Sequence, residues 1–197
     1  HTTTKKRESL VSPADIADAI ASRQPYAKIR LVINGGEPSI HPAFWDIVEA
    51  CSGNADNALF TNGRALCCVS DGKLRRLGEV FRQITIPFHG PEHLHDCITQ
   101  VPGSYAEAVL AVRRLCENGC AVEPKCILNE KSIAVGWQAI SFLHDTLCIP
   151  AESTVFLAGQ VDTVTARENG VQPFRYERYG ACLSAVTDSI MQVYSMK

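Results

Sequence analysis

Residues 29–50 read IRLVINGGEPSIHPAFWDIVEA, and this stretch decides the fold. Residues 29–33 are a short apolar run rich in β-branched side chains, the composition of a buried strand. The run closes on Asn34-Gly35-Gly36, turn chemistry at the point where a strand empties into a loop. Beyond Glu37-Pro38, His41-Pro42 opens a segment in which Phe44, Ile47, Val48 and Cys51 recur at helical spacing. A strand, a glycine loop and an amphipathic helix in that order make one βα unit.

The same unit repeats along the chain. Runs at 58–61, 84–88, 122–128 and 154–157 read as strands, followed by Asn62-Gly63, His89-Gly90-Pro91, Asn129 and Ala158-Gly159. Helices are predicted between them. Ser12-Pro13-Ala14-Asp15 supplies an N-cap, a first-position proline and a capping acid, with Ile16, Ile20 and Ala21 as the stripe. Asp71 caps a helix through Leu74 and Leu77. Gly103-Ser104 starts another in which Ala106, Val109, Leu110, Val112 and Leu115 face inward, and further helices fall at 133–147 and 176–194. Strand ends recurring every thirty residues or so predict an α/β fold with a parallel sheet and covering helices. The strands are mostly apolar, which predicts burial on both faces. No linker divides the chain, so residues 1–197 read as a single domain.

Composition narrows the function classes. Of 197 residues, 46% are hydrophobic and 20% charged, and 19 Lys+Arg stand against 21 Asp+Glu, giving a net charge of −2. That balance argues against an electrostatic nucleic-acid binder. No stretch reaches the roughly 18 apolar residues of a membrane span, and residues 1–9 are polar and basic with no apolar run behind them. No signal peptide and no membrane partner are expected, and a cytoplasmic location is. Nine scattered Cys fit reduced thiols better than a disulfide framework, and most are expected in the core, Cys67 and Cys68 included.

In βα folds the functional groups gather where strands end. Gly35 and Gly36 leave backbone groups open to a ligand, and Glu37, fixed by Pro38, can hold an ammonium group. The motif Gly-Gly-Glu-Pro directly after a buried strand, with Thr61-Asn62-Gly63 one unit later, resembles the radical S-adenosylmethionine (SAM) superfamily. The likeness runs over 31–159. FTNGRAL at 60–66 resembles the family's third strand and its loop. ITIPFHGPEHLHDCITQVPGSYAEAVLAVRRLCENGCAVEPKCIL at 84–128 resembles its fourth strand, fourth helix and fifth strand. His95-Asp96 with the later Gly-Ser-Tyr is similar to peptide- and cofactor-maturing members, among them maturases of His-Xaa-Ser peptide systems.

The resemblance implies a partial (β/α)6, TIM-like barrel. It implies SAM held by Gly35, Gly36 and Glu37 at its methionine amino group, with Pro38 shaping the loop. Thr61 and Asn62 would line the same mouth, and Phe88 and His89 the ribose or substrate side. Ile127, Leu128 and Asn129 would lie near the adenosine, and Leu157, Ala158 and Gly159 would offer backbone edges to the adenine. It also implies a [4Fe–4S] cluster, an external electron donor, and reductive cleavage of SAM to a 5′-deoxyadenosyl radical for hydrogen abstraction, from a peptide in the maturing members. The family's CxxxCxxC loop, whose thiolates hold the cluster, is missing. Cys116 and Cys120 have the first spacing but no third Cys, and are read as structural, so no metal ligand is assigned. The expectation is a chain that starts just after the cluster cysteines and lacks the first strand.

Two other readings stay open. His89, Glu92, His93, His95 and Asp96, taken as one loop, could serve a metal-dependent hydrolase. A barrel without its cluster could be a non-catalytic nucleoside binder. Against the second, Glu37 is expected to have no partner unless SAM is bound.

Overall fold

The computed structural model of the chain describes residues 11–128, 155–158 and the single positions 138, 142 and 145. In chain order its elements are α1 (Pro13–Arg23), β1 (Arg30–Ile33), α2 (Phe44–Cys51), β2 (Asp56–Phe60), α3 (Asp71–Val80), β3 (Gln83–Phe88), α4 (Glu92–Thr99), α5 (Ser104–Glu117), β4 (Val122–Leu128) and β5 (Val155–Ala158). Short 3-10 turns at Pro38–Ile40 and Arg64–Cys68 follow β1 and β2. Positions 138, 142 and 145 are helical, within the helix predicted at 133–147. The helix predicted at 176–194 lies outside the described residues.

The five strands form one parallel sheet in the order β1-β2-β3-β4-β5. Sequential order fixes the architecture. Crossovers between parallel strands are right-handed, so strands added one after another place every connecting helix on the same face. That face holds the core. Leu59, Ile84, Ile86 and Phe88 are almost wholly buried against Phe44, Ile47, Val48 and Cys51 of α2, Leu74 and Leu77 of α3, and Ala108, Ala111, Val112 and Leu115 of α5.

The other face is different, and the expectation of strands buried apolar on both sides is corrected by it. Side chains alternate across a strand, and the register aligns Arg30 with Asp56, Phe60 with Thr85, Thr85 with Glu123 and Pro87 with Lys125. These residues share the face that, among the described residues, carries no helix. Arg30 reaches Gln83, which bonds Glu123 and Thr85, and the Lys125 ammonium lies 5.0 Å from the Phe60 ring centre. Arg30 can cross β2 because Ala58, paired with both Val32 and Gln83, is small.

Local chemistry accounts for the elements. The Ser12 hydroxyl accepts from the Asp15 N–H at 3.2 Å while the Asp15 carboxylate accepts from the Ser12 N–H at 2.8 Å, so α1 opens on a complete capping box. In α5 the inward face is Ser104, Ala108, Ala111, Val112 and Leu115, rotated from the predicted stripe, which leaves Leu110 exposed. The small residues serve a close approach. Gly63, at φ 78°, has the Ala111 Cβ only 2.9 Å from where its own Cβ would stand. The element that the sequence reading misses is α4. Its sequence EHLHDCIT sets Leu94, Cys97 and Ile98 at helical spacing, and residues 92–99 are a helix where a loop is expected.

The opposite end of the sheet is closed by two buried asparagines. The Asn57 amide nitrogen donates to the carbonyls of Cys51, Asn54 and Val80 at 2.8, 2.8 and 2.9 Å, and Asn54 donates to the Asn57 side-chain oxygen at 2.8 Å. Removing a donor strands buried acceptors. Asn57→Ala therefore costs about 2–4 kcal/mol, read as a lower urea midpoint at unchanged m value; an unchanged midpoint would show that the network is dispensable.

Candidate functional site

The mouth of the sheet is built around one carboxylate. Glu37 ends the loop after β1, and its side chain reaches across to the loop after β2. One oxygen accepts from the Ser39 N–H at 3.0 Å, the Ser39 hydroxyl at 2.6 Å and the Thr61 hydroxyl at 2.5 Å. The other accepts from the Asn62 N–H at 2.6 Å. Thr61 is buried, and its oxygen also accepts from the Gly63 N–H at 3.1 Å. Charge-assisted bonds of this kind are short and strong. They lock the two loops into one piece, and the structure corrects the expectation that Glu37 lacks a partner without a ligand.

With its carboxylate engaged, the loop presents backbone. Gly35 and Gly36 are exposed, and an added Cβ at either would meet no atom within 4 Å. They border a cavity of ≈ 640 Å³, within the size range of small-molecule sites. Asn34, Glu37 and His41 supply its polar wall, and Val32, Ile33, Ile40 and Phe44 part of its apolar wall. His41 accepts from the Ala43 N–H through Nδ1 at 3.1 Å, while its Nε2 is buried without a partner.

A second group stands at the end of β3. His95, 4% exposed, accepts the His89 N–H on Nδ1 at 3.2 Å, so its proton belongs on Nε2. Its ring packs among Phe88, His89 and Tyr105, with centroids 5.4–5.7 Å from its own. Both imidazoles line a cavity of ≈ 160 Å³ with Asn62, Arg64 and Ser104, and the His89 Nδ1 is buried without a partner. Among the described residues, the two side-chain polar atoms buried without partners thus belong to histidines that line cavities at strand ends.

The metal-hydrolase reading is corrected here. Asp96 is a helix cap: it accepts from the Gly103 N–H at 2.5 Å, the Ser104 hydroxyl at 2.9 Å and the Tyr105 N–H at 2.8 Å, all at the start of α5. Burial pushes its carboxyl upward, but these donors outweigh it and hold the group below the usual range. Glu92 and His93 are exposed on α4. Among the described residues no three His, Cys, Asp or Glu side chains converge to hold an ion. The cap was findable in the sequence, as an acid seven residues ahead of Gly103-Ser104; Ser39 as a Glu37 partner was findable in the residue after the motif.

The remaining assignments divide. Leu128 and Ala158 are register partners at the ends of β4 and β5, while Asn129 and Gly159 lie outside the described residues. Of the cysteines, Cys51, Cys120 and Cys126 are buried as expected, and burial raises their thiols to about 11, 11 and 12. Cys120 donates to the Leu74 carbonyl at 3.2 Å. Cys68, Cys97 and Cys116 are exposed, and Cys67 is partly so, against the expectation of a core role. Cys148 and Cys182 fall outside the described residues.

Burial, helped by the neighbouring His95, pushes the His89 imidazole down to about 4, and burial also lowers His95. The unfolded chain then takes up protons below pH 6.5 that the folded chain refuses. This contribution to stability is complete above pH 6.5 and drains away as the pH falls toward about 4. His89→Gln flattens that part of the stability profile in urea titrations; a profile identical to the parent's would contradict the assignment.

No family model matches the chain, and no curated protein matches its sequence. Solved structures do match its fold. SuiB of Streptococcus suis superposes with a TM-score of 0.69 at 12% identity, over 94% of this chain and 42% of its own. SuiB bound to precursor peptide SuiA gives 0.69 at 13%, over 94% and 41%. Native anSMEcpe with bound AdoMet (SAM) and Kp18Cys peptide gives 0.60 at 12%, over 92% and 52%. The chain spans about two-fifths to half the length of these proteins. Both are radical SAM enzymes, and the α/β architecture with its parallel sheet and one-sided helices is the fold that this chain shares with them.

Proposed function

We propose that this chain is the SAM-binding core of a radical SAM enzyme that acts on a peptide. The observation that carries the reading is the mouth itself. A glycine pair with open space around it stands on a carboxylate-locked turn, with a buried, unpartnered imidazole nitrogen on each of two cavities at strand ends. The shared fold supports the class. SuiB with its precursor peptide and anSMEcpe with AdoMet and a peptide support the choice of ligand and substrate.

SAM fits these residues. The Gly35 and Gly36 carbonyls would accept the methionine ammonium, with Pro38 holding the turn and Glu37 lending its negative charge from behind. Thr61 and Asn62 fix the depth of the site through Glu37. His89, neutral at pH 7, would offer its ring to the ribose or substrate side without adding charge. The backbone edges of Leu128, Ala158 and Gly159 would face the nucleoside. Bound beside a [4Fe–4S] cluster and an external electron donor, SAM supplies hydrogen-abstraction chemistry. The described residues do not fit the cluster, which needs three converging thiolates, so its ligands would come from outside them.

Two substitutions test the reading by calorimetric titration with SAM. Gly36→Val introduces a side chain whose Cβ meets no atom within 4 Å, so stability is largely kept while SAM binding is lost. Glu37→Gln places an amide donor against the Thr61 or Asn62 donors and removes the charge, weakening binding by about 10–100-fold. SAM affinity unchanged in both would refute the assignment.

A further inference from the structure

Cys67 and Cys68 are consecutive residues of the 3-10 turn Arg64–Cys68, and their sulfurs stand 3.7 Å apart. The neighbouring backbone holds that turn firmly. Gly63 enters it in the left-handed region, Leu66 is buried, the Leu66 N–H donates to the Gly63 carbonyl at 2.9 Å, and Arg114 donates to the Cys67 carbonyl at 2.8 Å. Cys67 is half-buried and donates its thiol to the Arg64 carbonyl at 2.9 Å, whereas Cys68 faces solvent. The pair is thus preformed from below and open from above.

Adjacent thiols so placed are poorly arranged for a disulfide. The sulfurs would have to close by about 1.7 Å to bond. Disulfides also span Cα atoms roughly 4.4–6.8 Å apart, whereas consecutive residues across a trans peptide are held at about 3.8 Å. Chelation asks for something else. An ion with sulfur ligands at about 2.3 Å and tetrahedral angles needs its two sulfurs about 3.8 Å apart. The observed 3.7 Å already meets that bite.

We propose that Cys67 and Cys68 form a two-thiolate binding site for a soft, thiophilic divalent cation, whose remaining positions are filled from solvent or by an outside ligand. On capture two S–H bonds release their protons to water and two sulfur–metal bonds form, with no electron transferred. Two protein ligands are half the complement of a structural zinc site, so the ion is exchangeable and the fold does not depend on it. Occupation is felt next door. Once Cys67 loses its proton it no longer donates to the Arg64 carbonyl, and Arg64 lines the cavity shared by His89 and His95. The site is independent of the SAM reading, since it rests on this turn alone.

Cadmium titration of the folded, fully reduced protein tests the site, followed by the ultraviolet band of cadmium–thiolate bonds. One tightly held ion is expected. Cys68→Ser, at an exposed position, weakens it by at least about 100-fold because the second ligand no longer binds intramolecularly. The Cys67→Ser/Cys68→Ser double variant, its fold checked by circular dichroism, loses the band, and Cys116→Ser keeps it. Parental affinity in Cys68→Ser, a band surviving in the double variant, or its loss in Cys116→Ser would each overturn the proposal.

Discussion

Five parallel strands laid down in sequence order, with crossovers of one hand, can carry their helices on only one side. Much else in the structure descends from that constraint. The covered side must be apolar, and Ile84, Ile86 and Phe88 supply one strand of it; the side that carries no helix among the described residues is polar instead, with Arg30, Gln83, Glu123 and Lys125 on it. Because every strand runs the same way, all the loops that follow strands gather at one end, where their backbone groups are unpaired by the sheet. The opposite end is closed by Asn54 and Asn57, whose amides saturate the carbonyls there.

Glu37 shows how a binding loop can be made stiff without spending its ligand-facing groups. A carboxylate pointing into the cavity would meet the ligand directly but leave the two glycines beside it to wander, since glycine loses the most freedom on ordering. Turned toward Ser39, Thr61 and Asn62 instead, it ties its own turn with two hydrogen bonds and the loop after β2 with two more, and leaves the Gly35-Gly36 backbone as the presenting surface. Its charge is still close enough to be felt. Orientation by a locked scaffold is the cheaper arrangement for a ligand, because less entropy remains to be lost when it binds.

The repeat of strand, turn and helix was legible because each unit carried its own punctuation. Ser12-Pro13 with Asp15, Asn34-Gly35-Gly36 and Gly103-Ser104 all mark boundaries the structure keeps to within a few residues. What sequence could not supply was direction around an axis. Leu110 looks like a core residue of α5 until Ala111 is seen to be the one that must face Gly63. The same limit hid the polar face of the sheet, since alternation in QITIPF and VEPKCIL is short and interrupted by proline. Residues 92–99 differ: Asp96 reads both as a candidate metal ligand and as a cap for Gly103-Ser104, and its reach forward to α5, which decides between the two, is a tertiary contact.

The two imidazoles bring these strands of argument together. A buried polar atom with no partner costs roughly 1–3 kcal/mol, and a fold that carries His41 Nε2 and His89 Nδ1 in that state is less stable than one with apolar rings in their places. The asparagine network shows that this chain satisfies buried amides thoroughly where only stability is at stake. Both exceptions lie at the mouth, where the sheet topology delivers its loops and where Glu37 has already stiffened the frame. Unmet hydrogen-bonding capacity held rigidly beside a cavity is capacity that an incoming polar group can use without rearrangement, and the pattern of where the chain leaves that capacity unmet marks the same end of the sheet as the glycine motif does.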